Sequence, residues 1–239
     1  MRIDKLLANM GYGSRKDVKA LIKKKKVAIN DKIVKDSSSH VDPEDDTVKV
    51  NNNIVSYQKY VYLMMNKPPG YVSATVDDRD KTVIDLLPEK YQLFKPFPVG
   101  RLDKDTEGLL LITNDGDLAH QLVSPKKDIE KTYFAEIRGK VTENDVEAFQ
   151  EGIVLDDGYQ AKPAKLEILQ ADEYSEVHVT VTEGKFHQVK RMFEAVKKKV
   201  VYLKRIRMGE LRLDEELSPG DFRELNKEEM DYCLSQKKS

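Results

Sequence analysis

GRLDKDTEGLLLITNDG occupies residues 100–116. Five of its first eight residues are charged, and the apolar run Leu109–Ile112 follows at once. A run of that kind bounded by glycines and turn residues reads as a buried strand, Leu109 to Thr113, with a turn at Asn114–Gly116 and a helix beginning at DLAHQLV. The charged residues therefore stand at the mouth of a strand, and Arg101, Asp103 and Asp105 need an explanation. Asp103 and Asp105 are two residues apart, so on extended backbone both point to one face. Three readings follow from the residues alone. The spacing D-x-D-x-E-G resembles the start of a calcium loop, but such a loop needs a Glu at its twelfth position, where this chain has Asn114, and a helix after it. The two carboxylates can serve as a pair in acid–base chemistry. All three acidic residues can equally form solvated ion pairs.

The rest of the chain sets bounds. Its 239 residues allow one large domain or two small ones, and 39% hydrophobic with 35% charged residues describes a charge-rich globular protein. No apolar run approaches the ~18 residues of a membrane span, and the N-terminus lacks the apolar core of a signal peptide, so a cytoplasmic protein is expected. A single cysteine, Cys233, excludes an internal disulfide framework and a Cys-rich zinc site. The net charge of −1 hides an asymmetry: residues 1–35 hold 11 Lys and Arg against 3 Asp, a balance of +8, while the other 204 hold 30 against 39 acidic residues, a balance of −9. A basic module on an acidic body fits that distribution, as does a solvated lysine-rich face.

Periodicity organises the two parts. Ile3, Leu6, Leu7 and Met10 recur at helical spacing until Gly11 and Gly13. Ser14 is a good N-cap for a second helix carrying Val18, Leu21 and Ile22, with Arg15, Lys16, Lys19 and Lys23 on its other faces. Hairpins are predicted around Asn30-Asp31 and Asn51–Asn53. The domain boundary is placed near residue 59, giving 1–59 and 60–239. In the second part, strands are expected over Val61–Met65, KTYFAEIRG, AKLEILQ, EVHVTVTEG and VVYLKRIRMG. Helices are expected over TVIDLLPE, TENDVEAFQEGI, HQVKRMFEAV and NKEEMDYCL. His40, His120, His178 and His187 show no metal spacing, and neither a phosphate-binding glycine loop nor a serine or cysteine nucleophile signature is present.

Taken together these stretches resemble the small-ribosomal-subunit type of RNA pseudouridine synthases. The resemblance lies in G-R-L-D, T-x-G-L-L-L and T-N-D-G within residues 100–116, in NKPPGYVSAT (66–75), in EKTY (130–133), and in EGKFHQVKRMFEAV followed by VVYLKRIRMG. Residues 1 to about 50 resemble the S-four RNA-binding domain. One departure is Lys197–Lys199, where relatives often carry a glycine.

The resemblance implies an α+β protein: a small S-four-like domain, then a catalytic domain on a mixed, largely antiparallel sheet with flanking helices. It implies a cofactor-free, metal-free isomerase that flips a uridine of ribosomal RNA into a pocket, cuts its glycosidic bond, turns the base and rejoins it through C5. By transfer, Asp103 is the catalytic aspartate, Tyr133 stacks on the base and Lys190 is the basic partner of the aspartate. Arg101 helps extrude the base, Leu203 packs in the pocket, and Lys67, His187 and Gln188 belong to the substrate site. Arg2, Lys5, Arg15, Lys16, Lys19 and Lys23 would contact RNA phosphates. A monomer acting on 16S rRNA is expected. The alternatives are a 23S rRNA synthase of the same mechanism and a catalytically silent RNA-binding assembly factor.

Overall fold

The computed structural model describes residues 1–237. The chain forms two compact units, Met1–Val61 with Pro88–Lys95, and Tyr62–Leu87 with the chain from Pro96 onward.

In the first unit, α1 (Ile3–Asn9) buries Ile3, Leu6 and Leu7. α2 (Arg15–Lys23) opens on a capping box in which the Ser14 amide donates to Asp17 Oδ2 at 2.8 Å and the Asp17 amide donates to Ser14 Oγ at 3.3 Å. β1 (Val27–Ile29) and β2 (Lys32–Ile33) form a hairpin through Asn30 and Asp31, both at positive φ. β3 (Val48–Val50) and β4 (Asn53–Ile54) repeat that device with Asn51 and Asn52. The four strands make one antiparallel sheet in the order β2-β1-β3-β4. Val18, Ile22, Val27, Val48 and Val50 pack with the α1 residues as its core. The short helix α3 (Glu89–Gln92) also belongs to this unit.

The second unit is a nine-stranded mixed sheet. Its main path runs β13 (Phe222–Glu224), β5 (Tyr62–Lys67), β7 (Glu107–Thr113), β11 (Lys199–Met208), β8 (Lys131–Arg138), β10 (Tyr174–Val181), β9 (Lys165–Gln170). β6 (Phe97–Pro98) adds to β7 and β12 (Leu211–Arg212) to β11. Every pairing is antiparallel except β7 with β11, where Glu107 faces Lys204 and Gly108 faces Arg205. The helices are α4 (Gly116–Val123), α5 (Glu143–Glu151), α6 (Gln188–Ala195) and α7 (Lys227–Lys237). β7 is buried from Gly108 to Thr113, as its unbroken apolar run requires. β8 and β10 instead alternate, and their inward residues Ala135, Ile137, Val177 and Val179 are buried. α5 packs on β9 and α6 on β11, where the Phe149 and Phe193 ring centroids meet at 4.8 Å. TVIDLLPE, expected to be a short helix, forms a single 3-10 turn over Val83–Leu86. Thr82 and Asp85 cap that turn reciprocally, and Pro88 removes the amide that a longer helix would need. Among the described residues no helix is long and apolar enough to cross a membrane.

Candidate active site

Gly108 is where the sheet brings the site together. Its φ is +100°, and a Cβ there would collide with the Arg205 carbonyl and lie 2.8 Å from the Arg205 amide nitrogen. Only glycine lets β7 approach β11 this closely. Just before it, the Thr106 amide donates to the Asp103 carbonyl at 3.1 Å, closing a turn that aims Asp103 out of the mouth of β7.

The segment after β5 holds that turn. Lys67 is fully buried, and its ammonium donates to the carbonyls of Pro68 (3.0 Å), Lys104 (3.2 Å) and Thr106 (2.8 Å). The Gly70 amide reaches the Lys104 carbonyl at 2.7 Å. Ser73 Oγ accepts from the Leu102 amide at 3.1 Å and donates to the Leu102 carbonyl at 3.0 Å. NKPPGYVSAT is thus an anchor for residues 102–106. Burial pulls the Lys67 pKa down to about 8, against the raising influence of Asp105, Glu107 and Asp103.

Seven of the expected residues, Arg101, Asp103, Tyr133, His187, Gln188, Lys190 and Leu203, line one cleft of about 70 Å³. Tyr133 on β8 and Leu203 on β11 form its apolar floor, 9% and 6% exposed. Lys190 comes from α6. Its Nζ lies 3.4 Å from Asp103 Oδ2 but bonds both oxygens of Asp105, at 2.7 and 2.9 Å. The lysine therefore bridges two carboxylates, and its tighter partner is Asp105 rather than the expected Asp103. Burial raises the Asp105 pKa, and the hydrogen bond and charge of Lys190 outweigh it, leaving the group below the ordinary carboxylate value. His187 stands in the left-handed region ahead of α6, with Nε2 3.6 Å from Asp103 Oδ1. Its ring stacks on Phe186 with centroids 3.8 Å apart.

Three expected site residues sit differently. Lys67 does not line the cleft, because its ammonium is consumed by the three carbonyls. Gln188 lines it, but its amide is committed: Nε2 donates to Glu183 Oε1 at 2.7 Å, and Oε1 accepts from the Lys185 amide at 2.9 Å. Arg2 forms a bidentate pair with the buried Asp4, at 3.1 and 2.8 Å, yet is itself exposed, as are Lys5, Arg15, Lys16, Lys19 and Lys23. Glu183, Ser73 and Arg205 lie within the quoted motif stretches but were given no role there, since each acts through a contact distant in the chain. Glu183 accepts from Tyr159, from the Lys162 amide and from Gln188. Arg205, 2% exposed, donates through Nε to the Leu109 carbonyl at 2.8 Å. Among the described residues no cluster of three or more His, Cys, Asp or Glu could hold a metal ion, so Asp103, Asp105 and Glu107 do not converge as a calcium loop would.

Residues 61–195 match the family described as RNA pseudouridylate synthase, and residues 1–46 match the S-four domain. The chain belongs to the RNA pseudouridylate synthase family. As such it is an RNA pseudouridine synthase with an S-four domain at its N-terminal end. It is 52% identical over 231 residues to an RNA pseudouridine synthase of Bacillus subtilis (strain 168), a match covering 96% of this chain and 97% of the relative. It is 38% identical to the ribosomal small subunit pseudouridine synthase A of Escherichia coli (strain K12), covering 96% and 98%. A solved structure of a pseudouridylate synthase superposes with a TM-score of 0.68 at 38% identity, covering 98% of this chain and 99% of that one.

Proposed function

We propose that this synthase isomerises a uridine of 16S rRNA, with Asp103 as its nucleophile. The carrying observation is convergence: Asp103 before β7, Tyr133 on β8, Lys190 on α6 and Leu203 on β11 meet at one cleft although 100 residues separate the first from the last. The small-subunit name of the relative from Escherichia coli supports the choice of rRNA.

In this reading the RNA is held by the exposed cations of the S-four domain, whose phosphate contacts release counterions. The target nucleotide flips, Arg101 fills the vacated stack, and the base enters against Tyr133 and over Leu203. The Asp103 carboxylate attacks carbon, at C6 of the base or C1′ of the sugar, and the N-glycosidic bond breaks. The ring turns until C5 faces C1′, the C5–C1′ bond forms, the bond from Asp103 to carbon breaks (displaced at C1′ by C5, or eliminated from C6) to return the free carboxylate, and the proton on C5 is lost. Lys190 supplies the positive charge beside the carboxylates. Asp103 suits the task because its side chain is 28% exposed and its backbone turn is anchored from Lys67 and Ser73. The synthase works as a monomer in the cytoplasm, where it meets its rRNA.

Pseudouridine mapping of 16S and 23S rRNA, in cells with and without the gene, tests the substrate. One uridine of 16S rRNA is expected to lose its modification; loss confined to 23S rRNA overturns the assignment. An Asp103→Asn variant tests the chemistry. It is expected to bind RNA within about threefold of wild type and to form no pseudouridine, and any turnover by that variant removes Asp103 as the nucleophile.

A further inference from the structure

Three buried side-chain atoms, Asn66 Oδ1, Thr106 Oγ1 and Arg205 Nη2, have no hydrogen-bond partner among the described residues. Native interiors leave few polar groups in that condition, and each asks for a reason. Of the three residues, Thr106 alone lines the cleft with Asp103 and Tyr133. Asn66 lines a separate open basin of about 700 Å³, on the sheet face that carries His178 and Thr180 rather than Val179 and Tyr133.

Thr106 is 2% exposed, and its backbone is fully used: the amide donates to the Asp103 carbonyl and the carbonyl accepts from Lys67. Its hydroxyl is the one part left over, in the same turn as Asp103. The neighbouring polar groups of the wall are spoken for, Gln188 by Glu183 and Lys185, Glu183 by Tyr159 and Lys162, and Lys190 by Asp105. A valine would fill the same space without the cost of desolvating a hydroxyl. Thr106 lines the cleft beside Asp103, Tyr133 and Leu203, so a base seated there lies against the turn that carries its hydroxyl.

Resting on the reading that this cleft receives a flipped uridine, we propose that Thr106 Oγ1 donates a hydrogen bond to a carbonyl oxygen of the uracil ring, as a substrate-positioning group. The chemistry of the ring suits a single fixed donor. Turning uracil over about the axis through N3 and C6 exchanges N1 with C5, as the isomerisation demands, and exchanges O2 with O4 in the same motion. One hydroxyl thus meets one carbonyl before the turn and the other after it, and holds the ring in plane while neither N1 nor C5 is bonded to C1′.

The test compares Thr106→Val and Thr106→Ser with wild type on one RNA that the wild-type chain modifies, so failure of the 16S assignment leaves it intact. Thr106→Val is expected to melt at or above the wild-type temperature, to bind the RNA within about twofold, and to form pseudouridine about tenfold more slowly in a single turnover. Thr106→Ser, which keeps the hydroxyl, is expected within about threefold of wild type. A wild-type rate in Thr106→Val, a lowered melting temperature accompanying its slower rate, or a serine variant as slow as the valine overturns the proposal. RNA carrying 2-thio- or 4-thiouridine at the target locates the contact. Because sulfur accepts hydrogen bonds poorly, at least one thio substitution should slow wild type more than Thr106→Val. Equal slowing of both proteins by both substitutions assigns the hydroxyl to a protein partner and rejects the base contact.

Discussion

Replacing Lys67 by methionine probes how the catalytic turn is held. The ammonium bonds three carbonyls at 2.8, 3.0 and 3.2 Å, two of them in the turn that carries Asp103. Methionine fills the channel but donates nothing. The Lys104 carbonyl keeps the Gly70 amide, so two carbonyls, those of Pro68 and Thr106, lose their partner, at about 1 kcal/mol each at the low end and about 2 kcal/mol in all. At about 2–4 °C per kcal/mol for a chain of this size, the melting temperature should fall by about 4–8 °C. The turn also loses its fixed position, and displacement of a reacting group by about 1 Å costs roughly 100-fold in rate. The assay pairs thermal unfolding with single-turnover pseudouridine formation and an RNA binding measurement. Both melting temperature and rate should fall while RNA affinity stays near wild type. Unchanged melting with weakened RNA binding would refute the anchoring argument and return Lys67 to direct contact with substrate.

Three further outcomes follow from the same coordinates. Burial sets the Lys67 pKa at about 8, below the ordinary 10.5, so between these values the unfolded chain binds more protons and stability rises with pH; Lys131, also drawn down to about 8 by burial, acts in the same direction. Urea midpoints near pH 7 and near pH 10 should show a gain for wild type and a smaller one for Lys67→Met, and equal gains would exclude Lys67 as a source. Gly108→Ala adds a Cβ against the Arg205 backbone at φ +100°, which should cost about 3 kcal/mol or more by separating β7 from β11; a loss under about 1 kcal/mol in chemical unfolding contradicts the close approach. Changing Lys16, Lys19 and Lys23 together to alanine should flatten the slope of log Kobs against log salt by about 2–3, and an unchanged slope removes them from the RNA contact.

Local chemistry made much of this protein legible from its chain. The Ser14 cap, the Asn-rich turns at positive φ and the alternation along β8 and β10 depend on neighbours within a few residues, and the structure has each of them. Motif order also pointed to the family and to the residues that meet at the cleft. What it left open shares one cause. TVIDLLPE has helical composition, yet Pro88 and the reciprocal Thr82–Asp85 cap confine it to a single 3-10 turn. Lys67 lies in a motif beside the site, but whether its ammonium faces RNA or protein depends on carbonyls 37 and 39 residues away. The choice of Lys190 between Asp103 and Asp105 is settled by fractions of an ångström across 85 residues of chain. Composition and spacing determined which groups were present and on which local elements they ride. The tertiary structure alone decided which polar atoms were already spent, because hydrogen bonds saturate and their partners are chosen by proximity in space, which the order of residues does not record.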